Sequence, residues 1–205
     1  MRPIVISITP VIDPDGITTS QAVVSLTPLA INGAFAVAGV ATMAAAQQLV
    51  IVSVGDATTT VFTLTGTDEN GNAQSEDLTG GSTATVQSVL FYKTITEVLP
   101  TGATAATVTV GSADESITAA LPLDWTTEVF NKNIAVVLSD TPSMTFSVES
   151  TLDDLQDSTI TPTWSDVTGL NAKTATTIAA STARVRGVRL NLTTWVSGTA
   201  VITIL

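Results

Sequence analysis

Neither cysteine nor histidine occurs among the 205 residues of this chain. Without Cys there is no disulfide staple and no thiolate nucleophile. Without either residue, the usual zinc sites and any Ser-His-Asp triad are excluded. The side chain most often used for proton transfer near neutral pH is missing as well. Stability must then come from packing, hydrogen bonding or contacts between subunits. Aromatic residues are scarce at 4%, with three Trp, one Tyr and five Phe, which leaves few platforms for stacking against sugars. Charge is sparse and one-sided: 7 basic residues stand against 18 acidic ones, a net charge of −11. Phosphate backbones and anionic lipid surfaces repel such a chain, so neither nucleic acid nor a membrane is expected as a partner. Long apolar runs are missing too. The stretch 34–54 comes nearest, but it is rich in Ala and Gly and carries Gln47 and Gln48, short of the roughly 20 strongly apolar residues a spanning helix needs. The opening residues MRPIVISITPVIDPDG do not read as a secretory signal, because Pro10 and Pro14 interrupt their short apolar run.

What is abundant points one way. There are 38 Thr residues, and the 44% hydrophobic fraction is dominated by Ala and Val. Thr and Val are β-branched, stiff at χ1, and suited to a half-buried pleated surface. Thirteen Gly and eight Pro spread along the chain suggest many short strands joined by turns. The expected class is all-β: two small β-sandwich or barrel-like domains packed in series, with at most one short helical turn. That turn is expected at residues 42–48, where Met-Ala-Ala-Ala-Gln-Gln has high helix propensity. The domain boundary is placed in GSADES, a short linker at 111–116, giving an N-terminal β domain of residues 1–115 and a C-terminal β-sandwich domain of residues 116–205. The first holds ten acidic and two basic residues, the second eight and five.

The stretch 58–79, TTTVFTLTGTDENGNAQSEDLT, predicts a hairpin. Phe62 and Leu64 fall on one face of a pleated strand, with Thr63, Thr65 and Thr67 on the other. Asn70-Gly71 can supply positive φ angles for the turn. Further strands are expected at 4–8, 22–26, 49–54, 73–78, 86–98 and 106–110, with a Pro/Asp/Gly loop at 10–16. In the second half, 133–138 and 143–149 read as a second hairpin about the turn-like Ser139-Asp140-Thr141-Pro142. Residues 153–161 read as a loop, and 184–193 with 199–204 as a closing strand pair.

Few residues suggest chemistry. Asp68, Asn70 and Asn72 have the spacing that opens an EF-hand loop, but Ala73 stands at the expected Gly position and Thr79 replaces the bidentate Glu. A solvated hairpin tip is the expected reading. Asp153, Asp154 and Asp157 form the densest acidic cluster; paired carboxylates can cleave glycosides, but only in a groove that sets their separation. Arg184, Arg186 and Arg189 suit either an anion contact or pairing with the chain's own acidic surplus, and the surplus favours pairing. Asn191-Leu192-Thr193 is a glycosylation sequon by pattern, inside an expected strand. Trp125, Trp164 and Trp195 read as core or interface anchors. No catalytic, cofactor-binding or metal-ligating residue is assigned, and no cofactor is expected.

Several stretches resemble small virion structural proteins of tailed bacteriophages. They are TPVIDPDGI at 9–17, INGA at 31–34, GVAT at 39–42, TLTGTDENGNAQSEDLTG at 63–80, FYKTITEV at 91–98 and VTVG at 108–111. In the second half they are PLDW at 122–125, FNKNIAVV at 130–137, FSVESTLDD at 146–154 and VRLNLT at 188–193. Gly80-Gly81-Ser82 and Tyr92 depart from the simpler text typical of that group. The resemblance implies a non-enzymatic protein located in the virion and assembled in the bacterial host cytoplasm. Its expected role is capsid decoration (cement), as a homo-oligomer bound to other virion proteins such as the major capsid protein. A neck or tail component (head-tail adaptor, tail-tube or fibre-base protein) is the alternative, and a carbohydrate-binding adhesion module is a further one.

Overall fold

The computed structural model describes residues 3–123, 132–157, 160–181 and 183–205. Among them every regular element is a strand and none is a helix. In chain order these are β1 (Ile4–Ile8), β2 (Asp13–Val23), β3 (Ala36–Val37), β4 (Val40–Val54), β5 (Val61–Thr67), β6 (Ala73–Thr79) and β7 (Thr85–Gln87). There follow β8 (Tyr92–Pro100), β9 (Thr104–Ile117), β10 (Leu121–Pro122), β11 (Lys132–Thr151), β12 (Ser165–Asp166), β13 (Thr177–Ser181) and β14 (Gly187–Ile204). The chain is all-β, in keeping with its Thr- and Val-rich composition.

Contacts divide it into two compact units, Pro10–Asp114 and a second made of Met1–Thr9 with Glu115–Leu205. Residues 1–9 therefore do not belong with the N-terminal domain, as their sequence position suggests. Their strand β1 pairs antiparallel with β14, setting Ile4, Ile6 and Ile8 opposite Ile204, Ile202 and Ala200. GSADES is not a linker either, since β9 runs through it without a break. Ser112 is buried there, its hydroxyl donating to the Val11 carbonyl at 2.6 Å and accepting from the Asp13 amide at 3.0 Å.

In the unit Pro10–Asp114, neighbouring strands run in the order β9, β4, β8, β5, β6; β2 joins β9, while β3 and β7 join β4. The β5–β6 hairpin forms with Val61 opposite Thr79 and Thr67 opposite Ala73. Phe62 and Leu64 are fully buried in a core with Leu49, Ile51, Tyr92 and Ile95, while the alternate Thr63, Thr65 and Thr67 are only half-buried. At the tip only Gly71 takes a positive φ, of 87°; Asn70 does not. The expected helical turn at 42–48 is strand β4. Gln47 is fully buried, and its amide bonds the Val11 backbone and the Ala113 carbonyl, which fixes the segment as extended chain. Propensity is overridden by long-range partners. Between Thr42–Thr94 and Gln47–Tyr92 the β4–β8 register shifts, and Lys93 Nζ donates to the Ala44 carbonyl there at 2.8 Å. The single strand expected at 86–98 is two strands, β7 and β8. Side chains of β6 hold the segment between them, as Glu76 accepts from the amides of Val89 and Leu90 and Gln74 donates to the Phe91 carbonyl.

The other unit is organised on β11 and β14. Its second expected hairpin does not exist: 133–138 and 143–149 lie in one continuous strand, β11. Likewise 187–193 and 199–204 are one strand, β14, rather than a pair closing on each other. The two strands pair from Ile134–Ile204 to Thr151–Gly187. The Ser139-Asp140-Thr141-Pro142 sequence is a bulge, in which residues 140–142 oppose Gly198 between Ser139–Thr199 and Ser143–Ser197. Asp140 and Thr141 take left-handed φ angles of 63° and 52°, absorbing the extra residues without reversing the chain. β13 and β12 extend the sheet on β11, while β1, β10 and the end of β9 pair with β14. The core here includes Ile134, Val136, Phe146, Val148, Leu190 and Ile202.

Candidate functional site

The two charged clusters of the sequence meet at one end of the β11–β14 ribbon. Register places Glu149 of β11 directly opposite Arg189 of β14, and Ser147 opposite Asn191. Arg189 Nε donates to Glu149 Oε2 at 2.6 Å, and Asn191 Nδ2 donates to Glu149 Oε1 at 2.8 Å. The Arg189 and Glu149 side chains are only 14% and 16% exposed, so water screens the pair weakly. The Arg189 guanidinium carbon also lies 4.4 Å from the centroid of the Trp164 ring. Trp164 is placed there by β12, whose Ser165 and Asp166 pair with Ser150 and Glu149. A planar cation between a carboxylate and an indole face is well matched on both sides.

The acidic loop is tied down nearby. Asp154 Oδ2 lies 2.8 Å from Arg186 Nη1, and Asp154 Oδ1 accepts from the Gln156 amide at 3.0 Å. Asp153 Oδ2 accepts from the Thr163 amide at 2.5 Å and from the Thr151 hydroxyl at 3.3 Å. The Asp157 amide donates to the Asp154 carbonyl. The Asp153 and Asp154 carboxylates are thus engaged by the backbone of their own loop and by Arg186. Arg186 and Arg189 pair with the chain's own acids, as its acidic surplus leads one to expect.

The remaining sequence candidates are spread elsewhere. At the β5–β6 tip, Asp68 Oδ1 accepts from the Asn70 and Asn72 amides, and Oδ2 accepts from Asn72 Nδ2 at 3.0 Å. The carboxylate is turned into its own loop, and no cluster of metal-ligating side chains occurs among the described residues. The sequon Asn191 sits in β14 with its amide nitrogen engaged by Glu149. Trp195 donates Nε1–H to the Gly198 carbonyl at 2.9 Å, bracing the bulge; Trp125 lies outside the described residues. The Tyr92 phenol is fully buried, and burial, then the Glu76 carboxylate, push its pKa up, so it stays neutral. A hollow of about 320 Å³ beside the bulge is lined by residues such as Met144, Thr145, Thr174 and Val196, none of them ionisable. Among the described residues no helix is long and apolar enough to cross a membrane.

The Glu149–Arg189–Trp164 cluster escapes sequence reasoning because it depends on the register of β11 against β14, and both strands read as broken in two. The alternation of Val148, Ser150 and Val188, Leu190 around the two charges is the one local signal that both share an outward face.

Several of the motif stretches singled out in the sequence meet one another in space. The amides of Asn32 and Gly33, in INGA, donate to the Ile17 carbonyl at the end of TPVIDPDGI at 3.0 and 2.9 Å. A Cβ on Gly33 would stand 2.3 Å from the Asp15 carbonyl oxygen. Gly66 of the hairpin lies against FYKTITEV, where a Cβ would stand 2.0 Å from the Thr94 carbonyl oxygen. These glycines are places where two backbones approach too closely for any side chain. No protein-family model matches the chain, no curated protein matches its sequence, and no solved structure matches its fold.

Proposed function

We propose that this chain is a non-enzymatic structural protein of a tailed-phage virion, and within that class a capsid decoration (cement) protein. In that role it bridges neighbouring capsid subunits by burying apolar and β-edge surface, lowering the free energy of the filled shell without doing chemistry. One observation carries the reading: the stretches of family-like text contact one another through backbone approaches such as Gly33 on Asp15 and Gly66 on Thr94. Motifs that specify backbone contacts serve packing, which is what a building block needs. The charged side chains most suited to chemistry are engaged with each other, which supports the same reading.

The partners are then other virion proteins, the major capsid protein first among them, and the location is the particle. Gel-band stoichiometry of purified particles against the major capsid protein tests this. A copy number comparable to that protein's places the chain on the head, and a far lower one on the neck or tail. Heads lacking a cement protein burst at lower temperature or internal pressure. Equal robustness of heads with and without this chain removes the cement role.

A further inference from the structure

Asn followed by Gly occurs twice in the chain, at Asn32-Gly33 and at Asn70-Gly71. Such a step can react with itself. The glycine backbone nitrogen, once it has lost its proton to solvent base, attacks Cγ of the asparagine. An N–C bond forms, the side-chain nitrogen takes up a proton and leaves as ammonia, and a five-membered succinimide closes. Water then opens the ring at either carbonyl. Breaking the bond from Cγ restores the ordinary backbone with an Asp side chain. Breaking the bond from the main-chain carbonyl carbon gives isoaspartate, whose backbone runs through Cγ. In sum one water is taken up and one ammonia released, with no oxidant or cofactor. Glycine favours closure because it sets no Cβ beside the new ring. In a folded chain the rate depends on whether the carboxamide can swing onto the next amide and whether that peptide can turn to meet it.

Both asparagines are exposed, so access of water does not separate them. Their surroundings do. Asn32 Oδ1 accepts from the Thr19 amide and hydroxyl, both at 3.0 Å, and from Gln21 Nε2 at 3.4 Å. The Asn32 and Gly33 amides both donate to the Ile17 carbonyl, and a Cβ on Gly33 would stand 2.3 Å from backbone atoms of Asp15 and Gly16. Carboxamide and peptide are both clamped, and ring closure there breaks several hydrogen bonds at once. Asn70 is held loosely. Among the described residues its Oδ1 accepts no hydrogen bond, and its Nδ2 reaches Glu69 Oε1 at 3.4 Å, beyond the usual range. The Gly71 amide donates to the Asp68 carbonyl at 3.2 Å, the long end of that range. A Cβ on Gly71 would meet no described residue within 4 Å.

We propose that Asn70 is a site of spontaneous covalent modification, converted through a succinimide to Asp and isoaspartate, while the fold protects the same dipeptide at Asn32. The change acts on the hairpin tip. Asp68 Oδ1 accepts from the Asn70 and Asn72 amides at 2.9 and 2.8 Å, and isoaspartate puts one more backbone carbon between those two donors. Either product also sets a carboxylate beside Asp68 and Glu69, taking the net charge one unit beyond −11. The buried Phe62 and Leu64 lie outside the tip, so the hairpin itself persists. The reaction needs no partner and does not depend on a place in a virion.

Peptide mapping by mass spectrometry of the purified chain, incubated at mildly alkaline pH, tests the proposal. In the folded protein Asn70 is expected to convert at least about tenfold faster than Asn32, giving both Asp and isoaspartate. In urea the two steps should convert at rates within about twofold of each other, since the clamp on Asn32 is gone. Gly71→Ala should slow conversion of Asn70 at least about tenfold. Equal rates at Asn70 and Asn32 in the folded protein overturn the proposal. So does an Asn70 that stays intact while the unfolded chain converts, or one that yields Asp alone, the product of direct hydrolysis. A Gly71→Ala variant that converts as fast as wild type overturns it as well.

Discussion

Gly198 faces Pro142 across the β11–β14 ribbon so closely that a Cβ on Gly198 would stand 2.7 Å from the Pro142 Cα and 2.8 Å from the Ser139 carbonyl oxygen. Its φ is +96°, a region that L side chains rarely adopt. Two long strands keep one direction here although three residues of one oppose a single residue of the other. Gly198→Ala is therefore expected to destabilise the protein by about 1–3 kcal/mol, seen as a lower urea midpoint at unchanged m-value. A neutral outcome would mean that the bulge can be rebuilt without this approach.

Glu149 holds Arg189 and Asn191 at once, with little water to replace it. Glu149→Ala leaves both donors unpaired and is expected to cost about 1–3 kcal/mol. Arg189→Lys keeps the charge but loses the planar group over Trp164, so roughly 1 kcal/mol should be lost. A double-mutant cycle of Arg189→Ala with Trp164→Leu, followed by denaturant unfolding, should give a favourable coupling of about 0.5–1 kcal/mol.

Gln47 distinguishes extended chain from helix at 42–48. Gln47→Met conserves size and is nearly neutral in helix propensity. Within β4 it removes the donor to the Val11 and Ala113 carbonyls, and a loss of about 1–3 kcal/mol is expected. Hydrogen exchange of the Val11 amide, which donates to Gln47 Oε1, should speed up in the same variant.

Asp56 accepts from the Thr58 hydroxyl at 2.7 Å and from the Thr58 amide at 3.0 Å, and these bonds lower its pKa from the ordinary 3.8. A depressed carboxylate contributes stability that is present above its unfolded pKa and is lost as pH falls through the folded one. Its contribution should therefore fade only below about pH 4. Thr58→Val removes the larger of the two bonds. NMR titration of the Asp56 carboxyl carbon should then show the pKa rising toward 3.8.

The β5–β6 hairpin was readable from residues 58–79 because everything it needs is local: alternation that buries Phe62 and Leu64, and Gly71 at the turn. The pairing of the arginine and acidic clusters was readable as a tendency, from net charge, while the partners were not. Glu149 and Arg189 are 40 residues apart, and only their strand register brings them together.

Composition and period settle the class of element and exclude thiol, imidazole and triad chemistry, because they depend on side-chain identity and on steric preferences that act within a few residues. Partner choice is another matter. That Ile4–Ile8 leaves its sequence neighbours to pair with β14, that residues 42–48 are strand, and that Ser139–Pro142 is a bulge and not a turn, follow from contacts closed over long loops. Loop closure costs little extra as a loop lengthens, so the fit of distant apolar faces outweighs local preference. The same long-range register lines up Val5, Thr203, Ala135 and Ile178 into one uncharged face, which no single segment of the sequence contains.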